Sequence, residues 1–579
     1  MNQKQLAVVK KLLTFIHPYR RYLIFIFISA LLSVSFSLIT PILIGNAIDY
    51  MIGPDLVNYE NIIHILAYLA ASIAVSAVFQ WSMSYHSTKL TSLTVSDLRS
   101  GTFEKLNTVP LKYIDTNSHG NLINSIVNDI DQISDGLLQG FTQLFSGIVT
   151  ILGTLLFIVS VNYKIAFIVV LLTPLSFFVA SFISKRTFRK MKEQAQIRGE
   201  LSGYIEEIIG NEKTVKAFGY EEKAIQNFEE INQRLYHCGS MAQFYSSLTN
   251  PCTRFVNGVV YASVGIFGAI NAVRGNMSIG QLSCFLSYAN QYTKPFNEIS
   301  GVFTELQSAL ASAGRIFSII ESESEASDAA LLKNVNCNGE ITIDNVCFSY
   351  STDIPLIEDF NLHVKQGQRV AIVGPTGCGK TTFINLLMRF YDVNSGKILI
   401  DHIDIRAMKR STLRKQFGMV LQESWLFHGT IFENIAYGKP DATLDEVMEA
   451  SKAAHAHSFI KRLPNGYHTI ISEDGNISQG QKQLLCIARI MLTKPPILIL
   501  DEATSNIDTR TEIKIQKAFL QLMKGRTSFI VAHRLSTIKE SDIILVMDKG
   551  KIIEQGNHDK LLAGNGFYAK LYNSQFAVS

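Results

Sequence analysis

Six stretches without Asp, Glu, Lys or Arg, near residues 22–48, 62–84, 136–160, 165–184, 255–273 and 275–293, crowd the chain before Glu298. Each is long enough to cross a bilayer core of about 30 Å at about 1.5 Å per helical residue. Hydrocarbon offers backbone N–H and C=O groups no partner, so the stretches are expected to be helical. Pro41 inside the first predicts a kink. Only Ser160–Lys164 separates the third from the fourth, and the fifth and sixth meet around Arg274–Met277, so both turns are short. The 47% hydrophobic content and 35 phenylalanines of the 579-residue chain concentrate here.

Lysine and arginine fix the orientation. They crowd the N-terminus and the segments 89–112 and 185–234, while the three short intervening loops carry few. The positive-inside rule then places the N-terminus, both long loops and everything after the sixth stretch in the cytoplasm. Residues 4–20 mix apolar and basic positions at helical spacing, which predicts an interfacial helix with Lys10, Lys11, Arg20 and Arg21 near anionic headgroups. A signal peptide is not expected, because the apolar run after Arg21 is long and lacks a small-residue cleavage pattern. The long loops carry Pro110–Ile123 and Glu206–Lys223, each read as a helix with one apolar face and a short break. They could dock into the cytoplasmic half and pass its motion to the membrane, or stand as solvated hairpins. Arg254, Lys294 and Glu298 lie near span ends, where snorkelling is cheap, while Asn257, Asn290 and Gln291 suit helix–helix contacts.

The second half reads as a soluble α/β domain. An acidic, serine-rich run from Glu321 suits a linker, which divides the chain into an interfacial helix 1–21, a six-helix domain 22–320, a linker 321–338 and a cytoplasmic domain 339–579. At the centre of that domain stands Gly374-Pro375-Thr376-Gly377-Cys378-Gly379-Lys380-Thr381-Thr382, between the apolar runs Arg369–Val373 and Phe383–Met388. Strand, glycine turn and helix start are the context that G-x-x-x-x-G-K-[ST] needs to be a phosphate loop. Glycines let successive N–H groups curl round the phosphates, and the helix start adds donors. Lys380 is placed to reach the β- and γ-phosphates, and the Thr381 hydroxyl to hold a magnesium ion.

Other strand ends supply the remaining chemistry. Pro496–Leu500 runs into Asp501 and Glu502, a carboxylate to hold magnesium through water and another to orient and deprotonate the attacking water. Gln422 follows Phe417–Leu421 and can watch the γ-phosphate and the metal, while His533 after Ser528–Val531 can donate to the γ-phosphate. Tyr350, one strand before the phosphate loop, could stack on adenine. Ser478-Gln479-Gly480-Gln481 opens a helix, with Ser478 expected as its cap and Gly480 expected to leave the backbone exposed, so this turn could bind phosphate as a second anion site. Since the chain already has one, the second makes most sense if it serves another copy of the domain. The formal charge of +4 is too small to argue for nucleic acid, and seven scattered cysteines without metal-ligand spacing read as free thiols.

Taken together these motifs resemble the ATP-binding cassette exporters, over almost the full length of the chain. The resemblance implies a half-transporter, a type IV α-helical membrane domain of six transmembrane helices fused to a cytoplasmic α/β P-loop nucleotide-binding domain. It makes Gly374–Thr381 the Walker A motif, Gln422 the Q-loop, Ile477–Gln481 the signature, Leu500–Glu502 the end of Walker B, Ser505–Asp508 the D-loop and His533 the switch histidine. Tyr350 becomes the adenine-stacking residue, the segments around Tyr113–Gly120 and Thr214–Glu221 become coupling helices, and Glu473–Gly475 the loop that meets one of them. ATP and Mg²⁺ are the implied ligands, and the implied activity is ATP-driven export by alternating access across a bacterial cytoplasmic membrane.

One position departs from the family pattern. The usual signature is Leu-Ser-Gly-Gly-Gln, and Gln479 replaces a glycine that lets the helix start approach phosphate closely. With Glu502 and His533 intact, the chain resembles the catalytically complete member of a heterodimeric exporter, whose partner carries a standard signature and a degenerate Walker B; a tolerant homodimer is the alternative. The expected cargo is an amphipathic small molecule, drug-like or lipid, with dedicated peptide or lipid export as a second reading. An ATP-gated channel or regulatory membrane protein is a third, disfavoured by complete hydrolytic residues.

Overall fold

The structure, a computed structural model, describes residues 3–51, 57–161, 163–326, 328, 331–332, 335, 337–351, 354–421, 424–471, 477–501, 507–531 and 538–576, with backbone alone at scattered positions, chiefly within 161–184 and at 296–300. Contacts divide the chain into two compact units, Met1–Val109 with Asn117–Glu323, and Pro110–Thr116 with Ser324–Ser579.

The first unit is built of long helices: α1 (Gln3–Ile16), α2 (Arg20–Asp49) and α3 (Tyr59–Leu106) open it. Helix α4 (Leu111–Thr116) falls in the second unit. Helical chain then resumes through α5 (His119–Asn124), α6 (Ile130–Gln139) and α7 (Phe145–Val161), joined by π-helical turns at Ser125–Asp129 and Gly140–Leu144. After it come α8 (Tyr163–Gly210), the short α9 (Glu212–Ala217), α10 (Glu221–Val273) and α11 (Ile279–Ile320). Among the described residues four helical stretches are long and apolar enough to cross a membrane, at Gln5–Asp49, Tyr59–Leu106, His119–Ser160 and Glu221–Val273. The expected fourth stretch lies in α8, where most side chains fall outside the described residues, and α11 dilutes its apolar residues with Gln281, Asn290, Gln291 and Lys294.

Helix ends follow local chemistry. The sixth stretch, expected from 275, begins as a helix only at Ile279, because Gly275 at φ +75° turns the chain and Ser278 forms a capping box with Gln281. Pro41 sits inside α2 without ending it, and the Tyr288 hydroxyl of α11 donates to the Leu38 carbonyl at 2.5 Å. Serines stitch α2 to α3: Ser72 donates to Phe36 O at 2.9 Å, Ser76 to Ser33 O at 2.9 Å, and Ser29 pairs with Ser82 at 3.1 Å. Helix α1 buries Leu12 and Ile16 in a cluster with Ala313, Ile316 and Phe317 of α11, and Lys11 pairs with Glu321 at 2.5 Å.

At the other end of α11 the backbones nearly touch. A Cβ on Gly280 would sit 2.0 Å from the Gly45 carbonyl oxygen and one on Gly45 would sit 2.6 Å from the Gly280 carbonyl oxygen. Asp49 closes the contact, accepting from Ser278 Oγ at 2.6 Å and from the Gly280 N–H at 2.8 Å. Lower on α11, the Arg315 guanidinium donates to buried Asp129 at 2.8 and 2.5 Å, with Ser312 as a third donor at 3.1 Å.

The second unit has two sheets. Four strands, β1 (Ile341–Phe348), β2 (Ile357–Val364), β4 (Ser395–Ile400) and β5 (Ile403–Asp404), pair antiparallel in the order β2-β1-β4-β5. A larger sheet has the order β12-β11-β3-β10-β9-β6, from β3 (Arg369–Val373), β6 (Phe417–Val420), β9 (Ile497–Asp501), β10 (Thr527–Val531), β11 (Ile543–Asp548) and β12 (Lys551–Gly556). The remaining strands, β7 (Gly429–Thr430) and β8 (Ile470–Ile471), pair with each other. Strand β3 alternates, with Val370 and Ile372 in one buried cluster and Ala371 and Val373 in the other, as a sheet covered on both faces requires. The linker is tied down where described: buried Arg410 donates to Ala326 O at 2.9 Å and to Asp328 at 2.7 Å.

Two outcomes follow for purified full-length chain. Gly280→Ala should lower the apparent thermal midpoint, with an overpacking cost of about 1–3 kcal/mol, whereas Gly258→Ala, where nothing lies within 4 Å, should not; equal midpoints would show that α2 and α11 separate freely. Arg315→Ala should cost about 2 kcal/mol by leaving the Asp129 carboxylate buried without its cation, and Asp129→Asn in the same background should recover part of it. No loss in the single variant would mean that Ser312 and water suffice.

Candidate functional site

Strand β3 ends at Val373, and the chain turns through residues 374–379 into α12 (Lys380–Leu387). Gly374 has no room for a side chain, since a Cβ would sit 2.2 Å from Met547 O and 2.7 Å from Cys378 Sγ. Gly377 and Gly379 take φ of +83° and +103°, left-handed values that favour glycine. Nothing lies within 4 Å of a Cβ at Gly377, so the loop is open there, with Pro375, Thr376 and Gly377 exposed. Lys380 Nζ donates to Gly374 O at 2.8 Å and Pro375 O at 3.0 Å, holding its ammonium over the loop. Thr381 is exposed in the first turn of α12, where backbone N–H groups have no intrahelical partner, and Cys378 and Thr382 are buried. Open turn, fixed cation, hydroxyl and helix start together fit an anionic phosphate chain.

Parallel pairing brings the other strand ends level with this loop. Register aligns Val531 of β10 with Ile372 of β3 on one side and with Asp501 of β9 on the other, and Val420 of β6 with Leu500. Asp501 therefore stands one strand removed from the phosphate loop, half-buried at the sheet edge. Gln422, Glu502 and His533 lie outside the described residues, as do Ser505 of the D-loop and Glu473–Gly475.

The expected cap at Ser478 is present. Its hydroxyl accepts from the Gln481 N–H at 3.4 Å and its N–H donates to Gln481 Oε1 at 2.9 Å, a capping box opening the helix Gln479–Thr493. Gly480, however, does not leave the backbone exposed. It is buried, and a Cβ there would sit 2.5 Å from Thr511 Cγ2 and 2.9 Å from Ile507 Cγ2, so this glycine admits the start of the neighbouring helix Thr509–Met523. The exposed positions of the turn are Ser478 and Gln479. Asp508 caps that neighbouring helix, accepting from the Thr511 N–H at 2.9 Å, and the Thr511 hydroxyl and backbone hold its carboxyl below the usual carboxylate range.

Tyr350 is 40% exposed and its hydroxyl donates to Thr382 Oγ1 at 3.2 Å. Beside it stands Tyr391, a residue the sequence reading passed over, edge-on at 5.0 Å between centroids and donating to the Asp115 carboxylate of α4. Burial, and next the Asp115 acceptor, push the Tyr391 phenol well above its ordinary range. The one local signal was Arg389-Phe-Tyr-Asp392 after a helix, in which Arg389 pairs with Asp392 at 2.8 Å. The two expected coupling segments are short helices that begin two residues and end four residues earlier than read, at Leu111–Thr116 and Glu212–Ala217; the first is grouped with the nucleotide-site unit and the second is almost wholly exposed in the other.

Comparison with known proteins agrees with this geometry. Residues 23–296 match the family described as ABC transporter transmembrane region, and residues 357–505 match that described as ABC transporter. A fatty acid ABC transporter ATP-binding/permease protein of Mycobacterium tuberculosis is 41% identical over 520 residues, 89% of this chain and 82% of that protein. An uncharacterized ABC transporter ATP-binding protein of Bacillus subtilis is 39% identical over 573 residues, 98% of this chain and 94% of its own length. The solved structure of a bacterial Atm1-family ABC exporter with ATP bound superposes with a TM-score of 0.79 at 28% identity, covering 97% of this chain and 99% of that one. A helical unit joined to a phosphate-loop unit, matched along nearly its whole length, belongs to the ATP-binding cassette transporters: the chain is an exporter half-transporter that hydrolyses ATP.

Proposed function

We propose that this half-transporter closes ATP between its own phosphate loop and the signature turn of a second half-transporter, and uses the closure to export an amphipathic, lipid-like small molecule. The observation that carries the reading is the exposed helix start at Ser478 and Gln479 in a chain whose own phosphate loop is already complete. Such a helix start is an anion site looking outward. A named fatty acid transporter among the relatives supports lipid-like cargo.

In this reading the Lys380 ammonium neutralises the β- and γ-phosphates and the residues of the loop donate backbone N–H groups. Thr381, Asp501 and Gln422 would hold Mg²⁺, whose charge offsets that building on the transferred phosphoryl group. Glu502 accepts a proton from the water that attacks the γ-phosphorus, and ADP departs on the bridging oxygen. His533 donates to the γ-phosphate, and Tyr350 stacks on adenine. Asp508 holds the start of its helix beside the signature turn through Thr511, while Gln481 keeps Ser478 in its capped conformation.

Gln479 sets the choice of partner. Where the usual glycine would bare the backbone, this side chain stands at the first position of the exposed helix start. The site that it closes should bind ATP and turn it over slowly, so we place this chain in a heterodimer whose partner brings a standard signature and a degenerate Walker B. The lysine-rich loops put its cytoplasmic side where ATP is.

Steady-state, Mg²⁺-dependent hydrolysis by the chain alone in lipid should be at background, and Gln479→Gly should raise it about tenfold, a gain of about 1.4 kcal/mol in transition-state binding. Robust wild-type turnover that Glu502→Gln abolishes would establish a homodimer instead. Adding the partner subunit should restore turnover that depends on Glu502 of this chain.

A further inference from the structure

Three aromatic rings stand together at the start of the nucleotide domain. Tyr350 meets Phe348 edge-on at 4.9 Å and 84°, and meets Tyr391 at 5.0 Å and 89°. The hydroxyls of the two tyrosines are engaged at different places. Tyr350 donates to Thr382, which is buried in the first turn after the phosphate loop. Tyr391 donates to the carboxylate of Asp115, 276 positions away in α4. A phenol on a carboxylate is a charge-assisted bond, stronger than one between neutral groups. Both rings border a cavity of about 350 Å³ that Lys112 of α4 also lines, so they have space to shift.

We infer that Tyr391 is a positioning residue that makes helix α4 respond to occupancy of the base site. A base stacked on Tyr350 fixes that ring between its own face contact and Thr382. The edge of Tyr391 follows, and its hydroxyl carries the restraint to Asp115. Tyr391 need not touch the nucleotide. The inference rests on the stacking role proposed for Tyr350, and it adds a route from the base, as distinct from the phosphates, to the segment that connects two membrane helices.

The test is hydrogen–deuterium exchange of residues 110–116 in the full-length chain in lipid nanodiscs, without nucleotide and at saturating Mg·ATP, with the Kd for ATP measured for every variant. ATP should slow wild-type exchange about fivefold, while saturating Mg·tripolyphosphate, which offers phosphates without a base, should slow it less than about twofold. Tyr391→Phe, which keeps the ring, and Asp115→Ala should each reduce the ATP effect below about twofold, with no further loss in the double variant. Asp115→Asn keeps an acceptor oxygen and should restore most of it. An ATP effect that survives in Tyr391→Phe overturns the inference, even where baseline exchange is faster, because the tether is then structural only. Equal slowing by tripolyphosphate and ATP overturns it too, as does the absence of any ATP effect in the wild type. Tyr350→Ala separates the two readings: an unchanged Kd for ATP removes the stacking role, whereas weakened ATP binding beside an intact ATP effect in Tyr391→Phe removes only the relay.

Discussion

The chemistry of the nucleotide domain hangs on one strand pairing. Because β10 lies parallel between β3 and β9, three chain segments far apart in sequence end at the same edge of the sheet. Crossovers on both faces leave β10 completely buried, so it can carry no unpaired polar group. Its two polar side chains obey that limit: Thr527 Oγ1 donates to Gly339 O at 2.6 Å and accepts from the Gly367 N–H at 3.0 Å, and Ser528 Oγ donates to Arg526 O at 3.1 Å. The strand is thus tied to both the opening of the domain and the turn before β3. A shift of register would displace Asp501 from the phosphate loop and break these bonds together, so the placing of this strand-end carboxylate and the stability of the core are here the same constraint.

The membrane unit solves a different problem with the same groups. Water cannot satisfy polar atoms inside the bilayer, so serines on α2 and α3 bond one another or a facing carbonyl, each such bond worth about 0.6 kcal/mol. Close approach matters more than polarity at Gly45 and Gly280, where any side chain would collide with backbone. Asp49 then does what a cap does elsewhere, completing the N–H groups at the start of α11 from another helix. The lower end of α11 is held in turn by Asp129 through Arg315 and by α1 through Phe317. A helix fastened at both ends by different partners behaves as a strut.

Local signals were legible in the sequence and remote ones were not. Buried parallel strands announce themselves as short apolar runs, and Asp501 was visible as the charge that ends one. The cap at Ser478 follows from residue type and spacing alone, whereas Asp508, read only as part of the D-loop, was shown to be a cap by the structure. The start of α11 was misplaced by several residues because Gly275–Ser278 carries no charge to interrupt the apolar window, although Ser278 followed by Gln281 was a readable capping box. Gly480 was misread for a deeper reason. Nothing near it in sequence reveals that Ile507 and Thr511, some thirty residues on, will press against it. Tyr391 and Asp115 meet across 276 positions, and no periodicity reports such a distance. Four of the six expected membrane stretches lie in helices long and apolar enough to cross a bilayer among the described residues, and composition alone had marked them, but Arg315 with Asp129 could not have been paired without the fold.

Within the signature turn the two neighbouring positions differ in what a substitution can mean. At Gly480 any side chain would strike Thr511 and Ile507, so a change there would be felt first as loss of packing between two helices. At Gln479 the side chain is exposed, the capping box beside it is intact, and glutamine is a better helix former than the glycine it replaces. Folding therefore gains slightly from Gln479. A replacement that costs the fold nothing can be selected for or against only by what approaches that surface. On the function proposed above, what approaches is a phosphate held by another subunit, and the departure from glycine would then bear on the partner's nucleotide and leave this chain's own phosphate loop untouched.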